Sequence, residues 1–203
     1  MSRNGAEGVA PAGVREMVVA IGCLPAVVTD RHLTVVTSNA LAQALTGAFL
    51  PGVNIARYAF LGRQADDEAD RNDNEADRND DEADRNDDDG AASGRLDTIA
   101  QVAAMLRDSL EQHEEDDGFR RLVGELSSQS ILFARTWAHD HRRPARTGEV
   151  RFAPASVGPL SMAFQELLIP DDFALRLLLW RPAGAAASRH AYDRLVTTVT
   201  AEG

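Results

Sequence analysis

The sequence predicts an α+β domain built on a five-stranded antiparallel sheet with helices packed over one face. Three observations lead to this class. A β-hairpin pattern stands near the start, segments with helical spacing fill the middle, and strands with alternating apolar residues stand near the end. The hairpin and a C-terminal three-stranded meander can join edge to edge, which accounts for the five strands.

The hairpin is predicted from two short β-branched runs, residues 25–30 and 33–37, separated by a two-residue turn. Ser38 or Asn39 then caps a helix, because both side chains can accept a hydrogen bond from the free N–H groups of a first helical turn. A second short helix is predicted over residues 54–61.

Helical spacing in the middle of the chain gives way to the alternation typical of strands further on. Apolar residues recur three or four positions apart between residues 99 and 137, whereas residues 160–164 and 175–180 alternate with period two. A short strand at 150–152 precedes them, and a final helix spans 188–200. The order of hairpin, helices, meander and helix is the PAS-like arrangement, which encloses a pocket between sheet and helices.

Two helix boundaries can be placed inside the middle region. Asp116 or Asp117 is predicted to cap the helix that carries Phe119. Residues 127–130 are a poor helix interior, because Ser side chains compete for backbone hydrogen bonds, so a break and a new helix start are expected there.

The net charge of −11 is confined to one segment. Residues 64–90 hold 14 acidic and 3 basic residues, so the rest of the chain is electrically balanced. Residues 66–86 repeat a seven-residue unit with one alanine each, too little for a coiled-coil core. We therefore predict a disordered acidic insertion over 63–95, a disordered tail over 1–15, and a single domain over 16–200.

Several classes of protein are not expected. Cys23 is the only cysteine, which favours a reducing, cytoplasmic location without a disulfide, and no apolar stretch reaches the roughly 18 residues of a membrane span. His139 and His141 would point to different sides of a helix, so no metal site is predicted. Without a catalytic signature or a phosphate loop, neither an enzyme nor a bound cofactor is expected.

Six short blocks of sequence carry a resemblance to a known family. They resemble, in order and spacing, the ligand-binding domain of MmyB-like bacterial transcription regulators, over residues 16–197 apart from the insertion. The blocks are Pro25-Ala26-Val27-Val28, Asn39-Ala40-Leu41-Ala42, Asn54-Ile55-Ala56-Arg57, Leu122-Val123-Gly124-Glu125-Leu126-Ser127, Trp137-Ala138-His139-Asp140 and Val157-Gly158-Pro159-Leu160.

The resemblance implies a PAS-like sensor of an apolar small molecule, a fatty acid or similar acyl compound, that controls an attached helix-turn-helix. Such a DNA-binding domain needs more chain than the 15 residues that precede the resemblance. Direct nucleic-acid binding is therefore not expected. The domain is instead expected to act through a homodimer or a partner regulator. The alternatives are a protein interaction or dimerisation module, or a degenerate remnant without a ligand.

Burying an acyl chain contributes about 0.8 kcal/mol per methylene, so an apolar lining with one polar anchor would be enough to bind one. Periodicity selects seven apolar residues for the lining, and Arg135 is the predicted carboxylate anchor. The predicted lining consists of Phe60, Phe133, Trp137, Leu160, Met162, Phe164 and Leu177.

Overall fold

The computed structural model describes residues 10–62, 85–113, 115–169 and 175–202. Most of the predicted tail and residues 63–84 of the predicted insertion lie outside the described residues. The helices are α1 (Ala12–Ala20), α2 (Ala40–Leu45), α3 (Ile55–Arg57, continued by a π-helical turn Tyr58–Gly62), α4 (Arg85–Gln112), α5 (Asp117–Gln129), α6 (Ile131–His139) and α7 (Ala186–Glu202); the strands are β1 (Ala26–Thr29), β2 (Val35–Ser38), β3 (Thr147–Phe152), β4 (Leu160–Leu168) and β5 (Arg176–Pro182).

The chain divides into two compact units. Residues 1–55 and 145–203 form the first, which we call the sheet unit, and residues 56–144 form the second, the helical unit. The structure begins α1 at Ala12 and α4 at Arg85, so the last residues of the predicted tail and of the predicted insertion belong to helices. Within the described residues, no helix combines the length and the apolar character needed to cross a membrane.

The sheet unit contains five strands in the order β2-β1-β5-β4-β3, and every neighbouring pair is antiparallel. The hairpin β1–β2 joins the meander β3–β4–β5 through the pairing of β1 with β5. This confirms the predicted α+β class and the five-stranded antiparallel sheet formed by a hairpin and a C-terminal meander.

The hairpin turn is longer than predicted. Asp30 Oδ1 accepts hydrogen bonds from the backbone N–H groups of His32, at 2.9 Å, and Thr34, at 2.8 Å. Leu33 has a φ of 64° and a fully buried side chain. The β-branched pattern predicts that the second strand begins at residue 33. The Asp30 side chain instead stabilises a turn over these residues, so β2 begins only at Val35.

One face of the sheet is covered by α1, and we call it the α1 face. Val18 of α1 packs there in a cluster with Ala26, Val28, Leu175 and Leu177. Val28 and Leu177 are directly paired across β1 and β5, so they project on the same side of the sheet.

Asn39 links three elements of the sheet unit. Its Oδ1 accepts hydrogen bonds from the N–H groups of Ala26, at 3.1 Å, and Ala42, at 3.0 Å. Its Nδ2 donates to the carbonyl oxygens of Ile21 and Leu24, both at 2.7 Å. The bond to Ala42 confirms the predicted cap of α2, and the other three bonds fix the segment between α1 and β1.

The helical unit begins and breaks its helices as predicted. Asp116 Oδ1 accepts a hydrogen bond from the N–H of Phe119 at 2.8 Å and caps α5. Ser130 ends α5, and its Oγ caps α6 by accepting from the N–H of Phe133 at 3.2 Å. Arg57 forms a bidentate salt bridge with Glu125, with N–O distances of 2.7 to 3.0 Å. This salt bridge connects the start of the helical unit to α5.

Candidate ligand-binding site

The second face of the sheet differs from the α1 face, and we call it the aromatic face. Side chains alternate along each strand, so a directly paired row lies on one side of the sheet. The pairs Phe152–Leu160, Phe164–Trp180 and Glu166–Leu178 place these rows on the face opposite Leu177. This face therefore carries both the largest side chains of the sheet and a charged residue.

An aromatic cluster occupies one end of this face. The Trp180 ring centroid lies 5.3 Å from that of Phe164, 5.1 Å from Phe152 and 5.6 Å from Phe49. Gly148 makes room for it, because a Cβ at this position would lie 2.8 Å from Cε1 of Phe164. The Phe164 ring can therefore lie over β3, and the cluster forms an apolar surface from three strands and the turn after α2.

The Ser38 side chain positions the ring of Phe49. Its Oγ donates a hydrogen bond to the Phe49 carbonyl oxygen at 2.6 Å, and it accepts one from Gln43 Nε2 at 3.2 Å. Ser38 is paired with Val27 and so lies on the aromatic face. Its hydroxyl thus anchors the 3₁₀ turn Gly47–Phe49 at the edge of the aromatic cluster.

Charged and polar side chains occupy the other end of the aromatic face. Arg176 Nη1 lies 3.1 Å from Glu166 Oε1, and Arg146 Nη1 lies 2.5 Å from the same oxygen. The Arg176 and Glu166 side chains are 1% and 0% exposed, whereas that of Arg146 is 40% exposed. Thr29, fully buried, is directly paired with Arg176. These four residues form a polar row across β1, β5, β4 and the residue that precedes β3.

Three buried atoms of this face lack a hydrogen-bond partner within the described part of the chain: Thr29 Oγ1, Glu166 Oε2 and Trp180 Nε1. Buried polar atoms are nearly always paired, because an unpaired one costs about 1–3 kcal/mol of desolvation. A carboxylate oxygen only accepts, an indole N–H only donates, and a hydroxyl does either. Together the three atoms could bind a molecule that has both a donor and an acceptor.

The predicted lining residues of β4 and β5 lie on different faces. Leu160, Met162 and Phe164 are buried on the aromatic face, in register with the polar row. Leu177 is buried on the α1 face, in the cluster with Val18. The structure therefore brings three of these four residues together and separates the fourth from them. Their contact with a ligand stays a prediction.

Three other predicted lining residues come together in the helical unit. The rings of Phe60 and Phe133 meet edge to face at 4.9 Å, and those of Phe133 and Trp137 stack at 5.3 Å. The Arg107 guanidinium lies 4.6 Å from the Trp137 ring centroid and donates to the carbonyl oxygens of Trp137 and Asp140. These contacts hold α6 against α4 and give the three rings a packing role.

Arg135, the predicted anchor, is exposed on α6 and lines an open groove of about 560 Å³ with Thr136, His139, Asp140 and Arg142. The hydrogen bonds from Arg142 hold the pKa of Asp140 below its usual value, and those bonds raise the pKa of Arg142. The groove is open to solvent and carries charged side chains, so it suits a hydrated, charged molecule better than a buried acyl chain. Arg135 and Phe133 are two positions apart and face different environments.

Neither the polar row nor Trp180 was predicted from the sequence. The signal was present, because Glu166 continues the alternating series of Leu160, Met162 and Phe164 that marks the buried side of β4. A charged residue at a buried position of a strand indicates either an ion pair or a bound molecule. Arg176, at a buried position of β5, carries the same signal.

Comparison with known proteins identifies the family of the chain. The model of the MmyB-like transcription regulator ligand binding domain family matches residues 10–79 and 93–195. Residues 80–92 lie outside the match, a shorter segment than the predicted insertion over 63–95. A search of curated proteins found no match. Because the match covers well over half of the chain, the chain belongs to this family and is a ligand-binding domain of a transcription regulator.

Proposed function

We propose that this MmyB-like ligand-binding domain senses a small acyl compound, whose chain lies on the aromatic face of the sheet and whose polar end meets the polar row. The observation that carries the proposal is the set of three buried atoms on the aromatic face, Thr29 Oγ1, Glu166 Oε2 and Trp180 Nε1, that have no hydrogen-bond partner within the described residues. A ligand with a polar end would supply the missing hydrogen bonds. No chemistry on the ligand is proposed, since the domain acts by binding.

The apolar part of the face suits an acyl chain. Leu160, Met162 and Phe164 line one strand, and Trp180 lies beside Phe164 on the next. Burying ten methylenes would contribute roughly 8 kcal/mol before the costs of association, which are of the order of 4–15 kcal/mol. The chain alone therefore gives at most weak binding, and the polar row supplies the remaining affinity and the specificity.

The signal is proposed to leave the sheet through α1. Thr29 and Arg176 face the ligand, while their neighbours Val28 and Leu177 pack against Val18 of α1 on the other side. A shift of β1 or β5 on ligand binding would therefore be passed to this helix. Met17 and Val19 of α1 are exposed, 41% and 71%, on different sides of the helix, and each offers an apolar contact to a second copy or a partner regulator.

Fluorescence titration tests the proposal. The described tryptophans, Trp137 and Trp180, lie in different units, so a Trp137→Phe background makes Trp180 the reporter. Dodecanol and dodecanoate are titrated against Met162→Ala and, as the matched control, Leu177→Ala, which truncates a side chain of similar size on the α1 face. We expect Met162→Ala to weaken binding about tenfold, near 1.4 kcal/mol, and Leu177→Ala to change it less than about threefold.

Failure of both probes to bind, or equal weakening by the two truncations, would remove the aromatic face as the site. Both truncations are expected to destabilise the fold by about 2–5 kcal/mol. If either variant does not melt cooperatively, valine at the same two positions provides a milder pair.

A further inference from the structure

We infer that the polar end of the ligand is an uncharged group with a hydrogen-bond donor, an amide or a hydroxyl, and that Glu166 selects it. The inference deepens the proposed function and rests on it. It concerns the head group only, so it can fail while the acyl-binding role of the aromatic face stands.

The charges of the polar row argue against a carboxylate head. Within the described residues, the buried charged side chains are Arg176 and Glu166, and they form an ion pair across 3.1 Å. The charge of Arg146 is partly hydrated, because its side chain is 40% exposed. A carboxylate would bring a third buried charge next to Glu166, and burying an ion without its own partner costs several kcal/mol.

The hydrogen-bonding capacity of Glu166 also argues against a carboxylate head group. Both arginines bond to Glu166 Oε1, which leaves Oε2 as an acceptor without a donor within the described residues. A carboxylate head cannot donate and would repel this oxygen, whereas an amide N–H or a hydroxyl can donate to it. The same head group would then use its own oxygen to accept from Trp180 Nε1 or from the Thr29 hydroxyl.

The register shows where such a head group would lie. Leu178 is paired with Glu166 on one side and with Val27 on the other. Along β5, Leu178 has Arg176 two positions before it and Trp180 two positions after it, all on the aromatic face. Glu166 is therefore a diagonal cross-strand neighbour of Arg176 and Trp180, and such neighbours lie about 7–8 Å apart, which long side chains can span. A head group over Leu178 would lie beside Glu166 and between Arg176 and Trp180.

A comparison of two probes with the same chain tests the inference on the wild-type protein. We expect dodecanamide to bind at least about tenfold more tightly than dodecanoate, a difference near 1.4 kcal/mol. The Glu166→Gln variant keeps an oxygen for the arginines and replaces the acceptor Oε2 by an NH₂ donor. In this variant dodecanoate is expected to bind at least about tenfold more tightly than to the wild type, which removes the preference for dodecanamide.

Glu149→Gln is the matched control, because Glu149 is an exposed glutamate on β3 that is paired with Ala163 on the α1 face. It makes the same change of charge and should leave the preference unchanged.

Equal binding of the two probes, or tighter binding of dodecanoate to the wild type, would overturn the inference, and this comparison needs no variant to fold. If Met162→Ala still weakened both probes, the proposed acyl site would stand; failure of both probes to bind would overturn both.

Discussion

Replacing Arg176 with methionine is expected to lower the free energy of unfolding by about 3 kcal/mol, because it leaves the Glu166 carboxylate buried with a weaker partner. Arg176 is 1% exposed and lies 3.1 Å from Glu166 Oε1, and among the described residues the partly exposed Arg146 would remain to compensate the charge. Urea denaturation followed by circular dichroism measures the change.

Two further variants separate the loss of the pair from the loss of an arginine. Arg151→Met removes an exposed arginine of β3 and should change the stability by less than about 0.5 kcal/mol. Combining Arg176→Met with Glu166→Leu should recover most of the stability, since apolar side chains of similar volume replace a buried ion pair at little cost. If Arg176→Met alone cost no more than Arg151→Met, the buried pair would be energetically unimportant.

Asn39→Ala is expected to destabilise the domain by about 3 kcal/mol, since each hydrogen bond contributes about 1 kcal/mol and buried partners are left unpaired. The side chain makes four bonds, to the N–H groups of Ala26 and Ala42 and to the carbonyl oxygens of Ile21 and Leu24. Chemical denaturation and thermal melting should both detect the loss.

Thr46→Ala serves as the control for the Asn39 substitution. Thr46 also caps a short helical turn, but its Oγ1 accepts a single, longer hydrogen bond, from the N–H of Ala48 at 3.3 Å. Its removal should cost at most about 1 kcal/mol. Equal effects of the two substitutions would mean that the links from Asn39 to the segment before β1 contribute nothing to stability.

The sheet could be predicted because its strands alternate clearly. Leu160, Met162 and Phe164 mark the buried side of β4, and the β-branched run from Val27 to Thr29 marks β1. The length of the hairpin turn could not be predicted, because it depends on two hydrogen bonds to Asp30 and on the left-handed backbone conformation of Leu33. Leucine gives no local signal for that conformation.

The site was predicted only in part, for a related reason. Period two places Leu160 and Met162 on one face of β4, but it does not say which face of β5 joins them. The pairing of Phe164 with Trp180 decides this, so that Trp180 rather than Leu177 lies on the aromatic face. Such register information comes from contacts between distant segments, which a single sequence does not contain.

The choice of Arg135 shows a second limit. Helical spacing correctly suggests that Phe133 and Trp137, four positions apart, lie side by side, and their rings stack. The same spacing places Arg135 elsewhere on the helix, where it is exposed. The buried arginine is Arg176, and its burial results from the ion pair with Glu166 across two strands.

A crystal structure of the domain grown with dodecanol tests the central claim most directly. The account predicts that the alkyl chain lies along Met162 and Phe164, with its hydroxyl oxygen within about 3 Å of Glu166 Oε2 or Thr29 Oγ1. Ligand density beside Leu177 would contradict it. So would an aromatic face closed by the protein's own side chains, with Glu166 and Thr29 fully hydrogen-bonded by them.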